Sequence, residues 1–458
     1  MPNEPSAEKR PAVALTLLGC GLAVAPILAL ILYVARYGVD LPLTDQWEFV
    51  PLLGKSYQGH ITFHDLWQQH NEHRILFPRL VFLALAHLTH WNIRYELAAN
   101  VLVAVGTFLA IAYQIRTTAK AIGGTYLLWT IPLISIMVFS LTQHENWLWG
   151  WELQVLMNVL AVVTGIVLLT SRPLKWSRLM ASMLLGIVAV YSFANGIIYW
   201  PLGLLMLTLA GPKDRKSKGL ALGAWSVVGF LTILSYTYHL QSSSDLTLVF
   251  RQPNTYIKFV LLFLGAPCTG FSPNQIVGAS GAVGLVIAAA GCGLLIKRQR
   301  AYLPLLSPYI GLSLYAIASA MVTGLGRINL GSEQALATRY IAFSSLFWVA
   351  DIVFLCLLAR EMGSKRWSRP ATAAIVAIGL LTAINSVGSV QLAKQRYSYM
   401  AMVRLELVSL KDENDAEAEI NAMKHIALNP KAAQSRLWIL KKHHLSLYRP
   451  NSDNIDVF

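Results

Sequence analysis

The feature that most constrains this chain is the recurrence of apolar stretches close to 20 residues long, the length a helix needs to cross the roughly 30 Å hydrocarbon core of a bilayer. They fall at 11–34, 95–115, 124–141, 153–170, 179–193, 196–210, 220–238, 275–296, 303–322, 340–358 and 371–390. Only 13% of the residues are charged and the mean hydropathy is +0.52, whereas an average soluble domain is roughly one quarter charged. In lipid a backbone must satisfy its own N–H and C=O groups, which a helix does internally. The expected fold is therefore an all-α polytopic membrane protein of about 11 transmembrane helices, with a membrane domain over 1–390 and a small helical tail over 391–458.

Orientation follows from the cations, because short loops rich in Lys and Arg stay in the cytoplasm. Every second gap between apolar stretches is basic: Lys9 and Arg10; Arg116 and Lys120; Arg172, Lys175 and Arg178; Lys213, Arg215, Lys216 and Lys218; Lys297, Arg298 and Arg300; Arg360, Lys365, Arg366 and Arg369. These gaps carry only Glu4, Glu8, Asp214 and Glu361 as acids, so their excess equals the net charge of the whole chain, +14. The basic balance is thus a topology signal and not the footprint of a nucleic-acid partner. The pattern predicts a multi-pass protein of the inner (plasma) membrane, N-terminus in the cytoplasm and C-terminus outside. Two more apolar stretches, 75–90 and 256–270, break the alternation if counted as spans. They are expected to lie in the outer interface or dip part-way in. Four cysteines, Cys20, Cys268, Cys292 and Cys356, show no ligand spacing and no disulfide framework.

The polar chemistry collects in the loops expected outside, and all eleven histidines fall in those loops, at outer helix ends or in the tail. The first outer loop, 37–94, is long enough to carry function. It holds Asp40, Asp45, Glu48, His60, His64, Asp65, His70, Glu72, His73 and Arg74. A carboxylate just above the apolar core can act as a general base on an incoming hydroxyl, which points to Asp45 and Glu72. Glu48, His73 and Arg74 lie beside them as candidates to hold a substrate. Between the ninth and tenth stretches, Arg327 and Arg339 each adjoin an apolar span. Guanidinium forks match phosphate oxygens, so these two are candidate ligands of a lipid-linked phosphate, the alternative being arginines that snorkel to headgroups. A further loop, His144-Glu145-Asn146-Trp147-Leu148-Trp149-Gly150-Trp151-Glu152, mixes carboxylates with indoles that either stack on sugar or form an interfacial belt; His144 and Glu145 are its candidate substrate contacts. His60/His64 and His70/His73 have helical spacing, but no metalloprotease-type pair accompanies them, and no metal site is assigned.

One span, a long outer loop with an acidic residue soon after it and interfacial helices within it, many short-looped spans and an outer C-terminal part together resemble the GT-C superfamily of multi-pass membrane glycosyltransferases, which use polyprenyl-phosphate-linked sugars. The resemblance implies an acidic residue of the first outer loop as base or metal ligand. Here that is Asp45, with Asp40 and Glu48 as rivals. The chain reads Asp45-Gln46 where many members carry paired acids. The implied partners are a polyprenyl-phosphate-linked sugar, a glycan, lipid or protein acceptor, and membrane lipids, with no nucleic acid; the one cofactor implied is a divalent cation held by Asp45 and a second acidic residue. Two other classes fit the same surface. A transporter or flippase would place an ionisable group at mid-membrane, where only Asp351 qualifies, and an acyl- or phosphotransferase would use the outer histidines.

Overall fold

The computed structural model describes residues 9–241, 247–298, 300–362, 365–410 and 415–450; Glu4 and Glu8 of the charge pattern lie outside them. Among the described residues there is no β-strand, only one isolated bridge between His70 and His73. The chain begins with α1 (Lys9–Tyr37), followed by three short helices, α2 (Gln46–Tyr57), α3 (Phe63–Trp67) and α4 (Leu76–Thr89). Next come α5 (Ile93–Ala121), α6 (Thr130–Val138), α7 (His144–Leu148), α8 (Leu153–Leu169), α9 (Trp176–Val190), α10 (Tyr199–Ala210) and α11 (Arg215–Thr237). Then α12 (Leu248–Arg251) and α13 (Pro253–Thr269) lead into α14 (Asn274–Arg298), α15 (Leu303–Arg327), α16 (Ile341–Glu361) and α17 (Lys365–Ser409). The tail folds as α18 (Ala416–Met423), α19 (Pro430–Gln434) and α20 (Leu437–His443).

Among the described residues, 9 helical segments are long and apolar enough to cross a membrane: those built on α1, α5, α6 with its flanking turns, α8, α11, α14, α15, α16 and α17. The chain is an all-α, multi-pass membrane protein. The other two stretches expected to cross form shorter helices, Trp176–Val190 and Ala194–Ala210. At 15 residues, α9 is about 22 Å long at 1.5 Å per residue. Whether that hairpin crosses fully or returns part-way, the basic loops on either side of it stay at one end of the bundle.

That end can be identified by contact. Arg360 donates to the carbonyl of Ile122 and to the Tyr126 hydroxyl, Arg298 to the carbonyl of Glu361, and Tyr302 to the Glu361 carboxylate. The opposite end, the loop face, gathers the first loop, the turns 139–152 and 191–198, the segment 328–340 and the tail. Of the two interfacial candidates, α4 buries Phe82, Leu83 and Ala86 and leaves Leu80 and Leu88 exposed, as an amphipathic surface helix does. Of the stretch 256–270, residues 262–269 are buried in protein while Ile257 stays exposed. Trp348 of α16 donates its indole N–H to the Leu264 carbonyl at 2.7 Å. Helices α13 and α14 meet backbone to backbone at Gly265 and Gly281, where a Cβ on either would come about 2 Å from a main-chain oxygen of the other.

Two apolar cores result. The larger fills the helix bundle. The second lies at the loop face and is shared by Leu41, Leu43, Trp47, Phe49, Val50 and Leu53 of the first loop with Val403, Leu407, Met423, Ile426, Leu437, Leu440 and Leu447. The last spanning helix runs on unbroken to Ser409, so the tail is carried to the loop face by α17 and then folds back onto the first loop.

Candidate functional site

The site is built from three sequence-distant segments that meet at the loop face. The first is the turn Gln69–Arg74. His70 and His73 exchange both backbone hydrogen bonds, at 2.8 and 2.9 Å, across Asn71 in the left-handed region (φ 49°), which Asn tolerates better than most residues. The turn is pinned to the end of α11. Arg74 donates to the carbonyls of Trp67, Tyr236 and Tyr238, the Tyr236 hydroxyl donates to the Glu72 carbonyl, and the Gln69 side chain pairs with the Gln241 backbone. Arg74 is therefore a buried anchor, its guanidinium taken up by carbonyls.

The second segment is the end of α15. Arg327 donates to Glu72 at 3.0 Å. Together they border a cavity of about 230 Å³ whose polar wall is Glu72, His73, Asn195, Thr323 and Arg327 and whose apolar wall includes Phe193, Val322, Leu325 and Tyr340. The His73 ring stacks on Phe193 with centroids 4.2 Å apart, and its Nδ1 accepts from the Ala194 N–H at 3.4 Å. Burial, reinforced by the charges of Arg327, His70 and Arg339, pushes the His73 pKa down to about 3. A neutral ring whose Nδ1 accepts carries its proton on Nε2, so His73 is a hydrogen-bond donor and not a cation.

The third segment joins 144–152 to 338–340. The Glu145 carboxylate holds the Arg339 guanidinium at 3.1 Å, the Arg339 N–H at 3.0 Å and the Thr338 hydroxyl at 3.1 Å. Asn146 donates to the Arg339 carbonyl. His144 is beside this pair, with a buried Nδ1 that has no partner among the described residues. Trp147 and Trp151 are neither belt nor platform. Both are buried, Trp147 donating to the Ser140 carbonyl and Trp151 stacking on Phe82.

Asp45 stands where the first and third segments approach. Its carboxylate faces His70 at 3.9 Å, and the His70 ring meets Trp151 edge-on. Among the described residues it makes no hydrogen bond, in contrast to the other acids of the loop. Asp40 is taken by Arg449, Glu48 by Arg436, Asp65 by Lys55 and Glu72 by Arg327. Glu48 is thereby drawn to the tail, away from the cavity. Asp45 does not line the cavity; it lies across the His70–His73 turn from it.

Two further carboxylates belong to this region: Glu152, which ends the loop 144–152, and Glu96, which falls within the apolar stretch 95–115. Glu152, 1% exposed at the start of α8, has Asp45, Glu145 and Arg339 as electrostatic neighbours, and its buried Oε2 has no partner among the described residues. Glu96, in the first turn of α5, accepts from Gln46 at 2.6 Å and from the Trp91 indole at 2.8 Å. Glu96 stands where a loop passes into an apolar span, so by local pattern it belongs to the span. Among the described residues no group of three or more His, Cys, Asp or Glu side chains is arranged to hold a metal ion. Asp45 and His70, 3.9 Å apart, do not by themselves make the donor set of a divalent cation. No protein-family model, no curated protein and no solved structure matches this chain.

Proposed function

We propose that this chain is a membrane glycosyltransferase that moves a sugar from a polyprenyl-phosphate carrier to a glycan, lipid or protein acceptor on the non-cytoplasmic face of the inner (plasma) membrane, in the manner of the GT-C superfamily it resembles. The observation that carries the reading is the state of Asp45: in a loop whose other acids are held by cations, it is the carboxylate left open to take a proton. The cavity beyond the turn supplies the complementary half, with Arg327 and the Nε2–H of His73 as donors for a phosphate and apolar side chains for the carrier beneath it. Asp45 removes the acceptor hydroxyl proton as that oxygen bonds to the anomeric carbon. The bond from that carbon to the carrier phosphate breaks, and the phosphate leaves with the electron pair, its new charge met by Arg327. Glu72 fixes the Arg327 fork and faces the sugar. Arg339, whose guanidinium and backbone N–H are both tied to Glu145, adds positive potential.

The test is turnover by purified protein given a synthetic polyprenyl-phosphate sugar and a hydroxyl acceptor. Release of polyprenyl phosphate in step with glycosylated acceptor is expected. A second reading, transport of an envelope lipid or polymer, rests on Asp351, buried within α16 with neither carboxylate oxygen partnered among the described residues. No turnover, together with lipid movement across proteoliposomes that Asp351→Asn abolishes, would put transport ahead.

A further inference from the structure

Among the described residues the Asp45 carboxylate makes no hydrogen bond, yet the backbone on both sides of it is tethered, and the tethers come from the far end of the chain. Thr44 sits in the left-handed region (φ 45°), an uncommon conformation for a β-branched residue that persists only where surroundings impose it. Its N–H donates to the Ile426 carbonyl at 2.6 Å. On the other side, Arg436 donates to the Trp47 carbonyl at 2.9 Å and grips Glu48 with a two-pronged fork at 2.8 and 2.9 Å. Below these contacts the first loop and the tail share one apolar core, in which Ile439 closes over Gly54 so tightly that a Cβ there would meet it at 3.2 Å. Farther back, Arg449 and Ser446 of the tail hold Asp40.

We propose that the tail is a working part of the site: Arg436 and the Ile426 carbonyl position the segment 44–48 so that the Asp45 carboxylate is presented without a partner of its own. The inference rests on the reading of Asp45 as the base. A carboxylate with no hydrogen bond of its own is not steered through one, so precision has to come from its neighbours. Arg436 is thus a positioning residue, and the fork it makes with one carboxylate and one carbonyl is not available to Lys.

The experiment compares full-length wild type, Arg436→Gln and Arg436→Lys in two measurements: amide hydrogen exchange over 44–48, and kcat and KM with a polyprenyl-phosphate sugar. Loss of the fork should speed exchange at 44–48 and not in the spans. It should lower kcat on the order of 10-fold to 10²-fold, the scale of a misplacement near 1 Å, and leave KM for the carrier within about twofold. Arg436→Lys, which keeps the charge opposite Glu48, should fall between. Should Arg436→Gln not fold, Arg436→Lys decides alone, since it retains the ion pair and loses the carbonyl contact. Wild-type exchange and wild-type kcat in the folded variant overturn the proposal. The exchange measurement makes no reference to activity, so failure of the underlying reading is separate: it shows as full turnover in Asp45→Asn while exchange in the Arg436 variants is still raised.

Discussion

At the cavity the charges are arranged by competition. Arg327 divides its guanidinium between Glu72 and the open space, and His73 contributes a proton without contributing charge. Replacing Arg327 by Lys removes the planar fork and keeps the charge. It should weaken binding of polyprenyl phosphate by roughly tenfold, about 1.4 kcal/mol, with membrane insertion intact; equilibrium binding to detergent-solubilised protein measures this. Because the His73 pKa is lowered in the folded protein, its ring should remain neutral from pH 8 down to pH 5. Its contribution to stability is full above the unfolded value near 6.5 and is lost as pH falls from there toward about 3. An imidazole NMR shift that is flat between pH 5 and 8 is the expected result. The sequence marked Asp45, Glu72, His73, Arg327, Glu145 and Arg339 by residue type and by their place beside apolar spans. It could not mark which acid keeps a cation. That depends on Arg436 and Arg449, hundreds of residues away, and the same holds for Arg74, a candidate to hold a substrate whose guanidinium three carbonyls take up.

At the level of elements, α2 begins directly after Asp45, and its entry is locked from the bundle side as well as from the tail. Gln46 bridges the Leu43 N–H and the Glu96 carboxylate, and Glu96 in turn lies against Gly150, where an added Cβ would be 2.2 Å from its Oε2. Gly150→Ala must therefore push Glu96 and Gln46 aside. We expect a loss of about 1–3 kcal/mol of stability from the overpacking and a turnover loss larger than the fall in folded protein explains, read by thermal melting and by kcat per folded molecule. Hydropathy made the long helices legible because twenty apolar residues have few other destinations. It could not distinguish a helix at a lipid interface from one roofed by its neighbours. The fate of 256–270 was decided by the close crossing of Gly265 on Gly281 and by Trp348 reaching the Leu264 carbonyl, both contacts between segments that local periodicity treats separately.

For the whole molecule, one end carries the basic loops and the other the site, and the proposed function has the basic end in the cytoplasm, as the cation bias predicts. In a background lacking the four free cysteines, new cysteines at the exposed positions Gln58 and Gln275 should react with an impermeant maleimide in intact cells, and cysteines at Ser177 and Lys216 only after lysis. The opposite pattern would turn the protein over and remove the site from the compartment the mechanism needs. The account as a whole stands on the open carboxylate at Asp45, and the most direct measurement is kcat, with Kd for the polyprenyl-phosphate sugar, in Asp45→Asn beside wild type and Asp40→Asn. Asn keeps the size and loses the base, so kcat should fall by roughly 10²–10⁴-fold with Kd unchanged, while Asp40→Asn, which disturbs only the clamp with Arg449, should lose far less per folded molecule. Wild-type kcat in Asp45→Asn would contradict it.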